Sequence, residues 1–220
     1  MRQYFFYSIL FVGALVTGCE KNKNETAMLS ESMQSRPAVA IIPLIDNSEH
    51  VLGWNLSDEI TYSLCSKLDQ KNTLNLTLPG KIKAAIKKIK GQNNPFGNEI
   101  LWVKNSFDED FVVFLEMIEH SEIPSEMGKK APPETLSAQL NMSLRLRIID
   151  IRGETPRIAL QEILQESHFV PRQFTQYNFH QSLWNTEEFG LSPVGIAHAQ
   201  LIKELKTRIE DYILLAKASK

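Results

Sequence analysis

The chain has 220 residues, of which 43% are hydrophobic and 23% charged, enough for one mid-sized domain with a true core. Its 24 basic and 26 acidic side chains leave a formal charge of −2. That balance excludes the basic footprint expected where nucleic acid is the bulk partner.

One early cation, Arg2, precedes an uncharged run from Tyr4 to Val16 that is almost wholly apolar and aromatic. A short basic start, an apolar middle and small residues at a cut site describe a secretory leader. The run is shorter than the roughly 20 residues that span a bilayer, and no basic cluster follows it, so a transmembrane anchor fits poorly. Its end, Val16-Thr17-Gly18-Cys19, resembles a lipobox, the signature of bacterial lipoproteins. The resemblance implies cleavage between Gly18 and Cys19, a diacylglyceryl group on Cys19 and a third acyl chain on the new amino terminus. The membrane partner is then reached through lipid on Cys19. Glu20, rather than Asp, follows the cysteine, which favours the periplasmic face of the outer membrane over the inner membrane. With Cys19 lipidated, Cys65 has no intrachain disulfide partner and is expected to be a buried, inert thiol, an intermolecular bridge being the alternative.

The leader is expected over residues 1–18, and the lipidated start and a polar tether over 19–36. Treated as a coil, the tether has an r.m.s. reach of about 20–25 Å. A single domain is expected over 37–220. It opens with Ala38 to Ile45, apolar on both faces as a buried strand requires, in which Pro43 ends the ladder or exposes that side. Ser57 is the expected cap of a helix with Asp58 and Glu59 at its positive end and Ile60, Leu64 and Leu68 facing inward. Leu74, Leu76 and Leu78 alternate with polar residues as a short strand. From Lys81 to Lys90, Ile82, Ala85, Ile86 and Ile89 mark one helix face, and Lys81, Lys83, Lys87, Lys88 and Lys90 the other. Those lysines are either a solvated face or a patch for an anionic partner, a lipid headgroup or an acidic protein surface.

A short helix is expected over Asn98 to Asn105, presenting Ile100, Leu101 and Val103, then a central strand from Phe111 to Ile118 and a polar loop from Ser121 to Glu134. Leu140, Met142, Leu144, Leu146 and Ile148 alternate with Asn141, Ser143, Arg145 and Arg147, which are expected to face out. A hairpin loop over Asp150 to Pro156 is expected to return the chain as a strand from Arg157 to His168, a segment whose Glu and Gln content also tolerates helix. Phe169 to Leu191 has no period and holds Phe174, Tyr177, Phe179 and Trp184 among polar residues. It is either a long loop packed on the domain or a partner-binding surface. Ser192 and Pro193 start the clearest helix, with Leu201, Ile202, Leu205, Ile209, Tyr212, Ile213 and Ala216 on one face.

These elements predict an α/β (α+β) domain with a mixed sheet of about five strands packed by helices and closed by a long carboxy-terminal helix. Val39-Ala40-Ile41-Ile42-Pro43-Leu44, Leu56 to Ile60 with Leu64, and Glu99 to Leu101 with Asp110 to Val113 resemble the opening of the TolB amino-terminal domain. They also resemble its CsgG-like, FlgO-like and LpoB-like envelope relatives. The resemblance spans roughly Pro37 to Ile118 and implies a compact domain used for protein contacts, not catalysis. The alternating apolar hairpins of a CsgG-like pore and a TolB-like propeller are absent from the sequence.

No nucleophile elbow, phosphate loop or dinucleotide fingerprint occurs, and His50, His120, His168, His180 and His198 are scattered without metal-ligand spacing. No catalytic residue, cofactor or metal site is therefore assigned. Glu116 and His120 are expected on one strand face as a structural pair, and Asp108-Glu109-Asp110 as a solvated loop. The expected function is that of a lipid-anchored envelope adaptor or assembly factor whose protein partner and oligomeric state are not read from the sequence. A hydrolase with an unrecognised site and a lipid or glycan binder are the alternatives.

Overall fold

Pro43 cuts the opening apolar run in two. The computed structural model describes residues 36–49, 52–77, 80–82, 86, 94–124, 137–171 and 184–219. In it β1 (Ala38–Ile41) ends two residues before the proline and β2 (Ile45–Asp46) resumes two residues after it. Between them Ile42 N–H donates to Val113 O at 3.0 Å and Leu44 N–H to the Thr61 hydroxyl at 3.0 Å, so both flanking donors stay satisfied.

The helix that follows, α1 (Leu56–Gln70), is capped by Asn55 and not by Ser57. Asn55 Oδ1 accepts from Asp58 N–H at 3.0 Å, while the Ser57 hydroxyl donates to Leu44 O at 2.6 Å and ties the helix start to the strand. Both residue types cap well, and the one lying two positions earlier takes the role. The short strand is β3 (Asn75–Thr77). Residues 80–82 and 86 are helical, and the small helix α2 (Leu101–Lys104) follows. Its Val103 is buried as expected, but Leu101 is 55% exposed, and Trp102 packs against Phe114 at 5.9 Å between ring centres.

Three long strands then form a meander: β4 (Phe111–Pro124), β5 (Ala138–Asp150) and β6 (Arg157–Val170). The described strands make one six-stranded mixed sheet in the order β3-β1-β4-β5-β6, with β2 paired to β4 beyond the end of β1. β1 is parallel to β3 and β4; β4–β5 and β5–β6 are antiparallel. β4 runs past the expected end at Ile118 because a bulge there, between Met117 and Glu119, lets the ladder continue to Pro124.

The chain closes with α3 (Glu187–Leu191) and α4 (Pro193–Ala218), the latter capped by Ser192 as the sequence predicts. The Ser192 hydroxyl accepts from Gly195 N–H at 3.0 Å and donates to Phe189 O at 2.7 Å, which locks the two helices at their junction.

The main core lies on one face of the sheet. Val39, Ile41, Phe111, Val113, Leu115, Leu144, Leu146 and Ile148 meet Ile60, Leu64 and Leu68 of α1 and Leu201, Leu205, Ile209 and Ile213 of α4. Burying each such Leu or Ile contributes about 1.5–3 kcal/mol. On the other face Ala40, Ile42, Val112, Phe114 and Ile149 pack with Ile82, Val103 and Phe107. Residues from Pro37 onward form one compact unit.

Candidate functional site

Three elements distant in sequence bring titratable side chains together inside the main core. Glu59, in the first turn of α1, is 2% exposed; His198, near the start of α4, is 1% exposed; His120, on β4, is 2% exposed. Glu59 lies in the first turn as expected, but its carboxylate turns into the core. Its Oε1 lies 2.6 Å from His198 Nδ1, and its Oε2 accepts from Trp54 Nε1–H at 2.7 Å. The far side of the His198 ring, Nε2, lies 2.8 Å from His120 Nε2. Trp54 in turn sits edge-on to Phe189 at 5.1 Å.

The β4 bulge explains why Glu116 and His120 do not share a face. Strand alternation puts Phe111, Val113, Leu115 and Met117 toward α1 and α4, and one extra residue at Ile118 reverses the parity beyond it. His120 consequently points into the core beside Met142, its partner on β5. Glu116 remains on the opposite face, with Arg145 at 3.0 Å and Asn47 at 2.7 Å.

His120 also lines an open cleft of about 660 Å³ with Asn47, Glu49, Ile118, Glu119, Ser121 and Glu122. A histidine, carboxylates and a hydroxyl thus meet, but the Ser121 hydroxyl donates to Glu119 at 2.8 Å. Ser121 and His120 are consecutive in a strand and point to opposite faces, whereas nucleophile–base catalysis needs hydrogen-bond contact between the two. Among the described residues no group of three or more His, Cys, Asp or Glu is arranged to hold a metal ion.

Two further polar clusters fix the frame. Arg147 is 2% exposed instead of solvated, because the loop over 95–97 covers it. Its guanidinium donates to Pro95 O (2.9 Å), Gly97 O (2.6 Å) and Phe96 O (2.9 Å). It also lies over the Phe96 ring at 5.6 Å. Burial, with Arg145 nearby, lowers its pKa. Asp150, 3% exposed, receives Arg152 and Arg157, each at 2.8 Å, and Arg152 reaches on to Ala216 O at 2.7 Å, pinning the last turn of α4. Burial pushes the Asp150 carboxyl up, but the arginine hydrogen bonds outweigh it and hold it at about 2. Asp110 is likewise more than a solvated loop residue: its Oδ2 accepts from Ala38 N–H at 2.8 Å.

Of the residues singled out from sequence, Lys81 is exposed, and Trp184 is half-buried and packs against the main core. Cys19 with Gly18, Lys83, Lys87, Lys88 and Lys90, and Phe174, Tyr177 and Phe179 lie outside the described residues. Cys65 is a free, half-buried thiol that burial pushes up to about 11.

The model of a family of unknown function, DUF7499, matches residues 25–217. The chain belongs to DUF7499. No curated protein matches this DUF7499 member significantly. Among solved structures it is similar to the hypothetical protein CT253 from Chlamydia trachomatis, with a TM-score of 0.62, 23% identity, and 81% of this chain and 98% of that one covered. That likeness is one of fold. Looser matches are lipoprotein GNA1162 from Neisseria meningitidis (TM-score 0.41, 11% identity, 80% and 99% covered) and a minor lipoprotein from Acinetobacter baumannii (0.38, 10%, 80% and 92%). At that distance neither bears on what this DUF7499 member does.

Proposed function

We propose that this protein is a lipid-anchored cell-envelope lipoprotein that holds its α/β domain beside a membrane and works there as a non-catalytic adaptor or assembly factor. The observation that carries the reading is the apolar leader ending in Val16-Thr17-Gly18-Cys19. The first strand begins at Ala38, so a polar stretch separates the lipidation site from the fold. The TolB-like opening supports a role in protein contacts. The outer membrane, periplasmic face, is the favoured address on the strength of Glu20. Lys81 and its neighbouring lysines, with the aromatic segment that includes Trp184, are the surfaces assigned to the protein partner.

Crosslinking in intact cells, followed by membrane solubilisation and mass spectrometry, tests the adaptor role. The expected result is a small set of envelope proteins recovered with the wild type and lost with a Cys19→Ser variant. Recovery of nothing above background would contradict it.

A hydrolase is the second reading, since His120, Ser121, Glu119 and Glu122 gather at one cleft. It requires His120 to leave His198 and turn to Ser121. Labelling of Ser121 by a serine-reactive fluorophosphonate would favour it.

A further inference from the structure

We propose that the Glu59–His198–His120 array is a proton-operated latch: neutral pH holds the start of α4 against β4 and α1, and acid releases it. The inference does not depend on the lipid anchor.

The proton count follows from the geometry. An ionised Glu59 carboxylate can only accept, so His198 Nδ1 carries a hydrogen and donates it across 2.6 Å. Two ring nitrogens then face each other across 2.8 Å, His198 Nε2 and His120 Nε2, and that gap accommodates one hydrogen. Either His120 donates to a neutral His198, or an imidazolium at His198 donates to His120. In both arrangements the array carries at most one imidazolium. A second proton turns both facing nitrogens into donors, breaks the contact, and leaves two cations with ring centres 5.1 Å apart in a buried site.

That second proton sets the direction, and groups from several elements pack around the array. α1 supplies Glu59, and the segment before it supplies Trp54; α3 presents Phe189, 5.9 Å from His198, and β5 presents Met142 beside His120. Glu49, Glu119 and Glu122 line the cleft that His120 also lines. The open state binds one proton more than the closed state, so falling pH favours opening. What opens is defined by what the array joins: the α3–α4 junction at Ser192, the first turns of α4, and Trp54, which is held to Glu59 and Phe189. The molecule thereby couples external acidity to exposure of an apolar surface beside the cleft.

Hydrogen exchange of the full chain, read by mass spectrometry on peptides covering 193–205 and corrected for intrinsic pH dependence, tests the latch. As pH falls through the range in which histidines charge, about 7 to 5, protection should drop by about tenfold per pH unit, as one linked proton requires. His120→Gln, whose amide still donates to His198 but never charges, should remove the pH step. His168→Gln, a change on β6 outside the array, should leave it intact. A step that survives in His120→Gln, or a flat wild-type profile, overturns the proposal. If His120→Gln does not fold at neutral pH, His198→Gln and the wild-type profile decide on the same criteria.

Discussion

Glu59 and His198 are 139 residues apart in the chain and 2.6 Å apart in the fold. Each is almost fully removed from water, and each satisfies the other. Truncating one partner of such a pair leaves the other uncompensated. Glu59→Ala should therefore lower the unfolding free energy by about 3–5 kcal/mol. Trp54→Phe, which keeps the ring against Phe189 and removes only the indole donor, should cost about 1–3 kcal/mol. Urea titration at pH 7 measures both, and an effect under about 1 kcal/mol for Glu59→Ala would mean the array contributes little to stability.

Asp150 makes part of the fold's stability depend on acid. Its folded carboxyl is held at about 2, below its unfolded value, so its contribution is present above about 4 and is lost as pH falls toward 2. A depression of that size corresponds to about 2–3 kcal/mol at neutral pH. Asp150→Asn should lose that amount at pH 7, and the difference from wild type should shrink to a few tenths of a kcal/mol near pH 2 and vanish below it. Thermal unfolding across that range checks it.

Gly195 lies at the junction of α3 and α4, against the Phe189 carbonyl. A Cβ there would drive into the carbonyl of Phe189, the same oxygen that accepts from the Ser192 hydroxyl. The obstacle is backbone and cannot rotate away. Gly195→Ala should cost about 1–3 kcal/mol or more despite its better helix propensity. Gly190→Ala, where nothing lies within 4 Å of the added carbon, is the control and should be near neutral. Thermal melts of the two variants separate close packing from propensity.

Cys65 should be inert. With its thiol pushed up to about 11 by burial, little thiolate exists at pH 8, and thiolate is the reactive form. In a Cys19→Ser chain, Ellman's reagent should titrate no thiol under native conditions and one after unfolding in guanidinium.

Much of the frame was legible in the sequence because local chemistry determines it. The alternation from Leu140 to Ile148 specifies β5, and Ser192-Pro193 specifies the start of α4. What could not be read depends on contacts between distant segments. Arg147 alternates as an outward residue and is buried only because the 95–97 loop folds over it. The bulge at Ile118 leaves no mark in composition, yet it decides that His120 meets His198 and not Glu116. Glu59 looked like a helix-start acid because that role requires only its own turn, whereas its actual partners, Trp54 and His198, come from outside the helix. The one available signal for the array was an isolated histidine on the apolar face of α4.

We propose that lipid on Cys19 holds this domain at a membrane. Metabolic labelling with an alkyne fatty acid, followed by purification of the mature chain and mass spectrometry of its amino terminus, tests that claim most directly. Label on an amino-terminal Cys19 peptide, absent from a Cys19→Ser variant that no longer sediments with membranes, is the predicted result. A mature chain that takes up no label, or a Cys19→Ser protein that matures and localises as the wild type does, would contradict it.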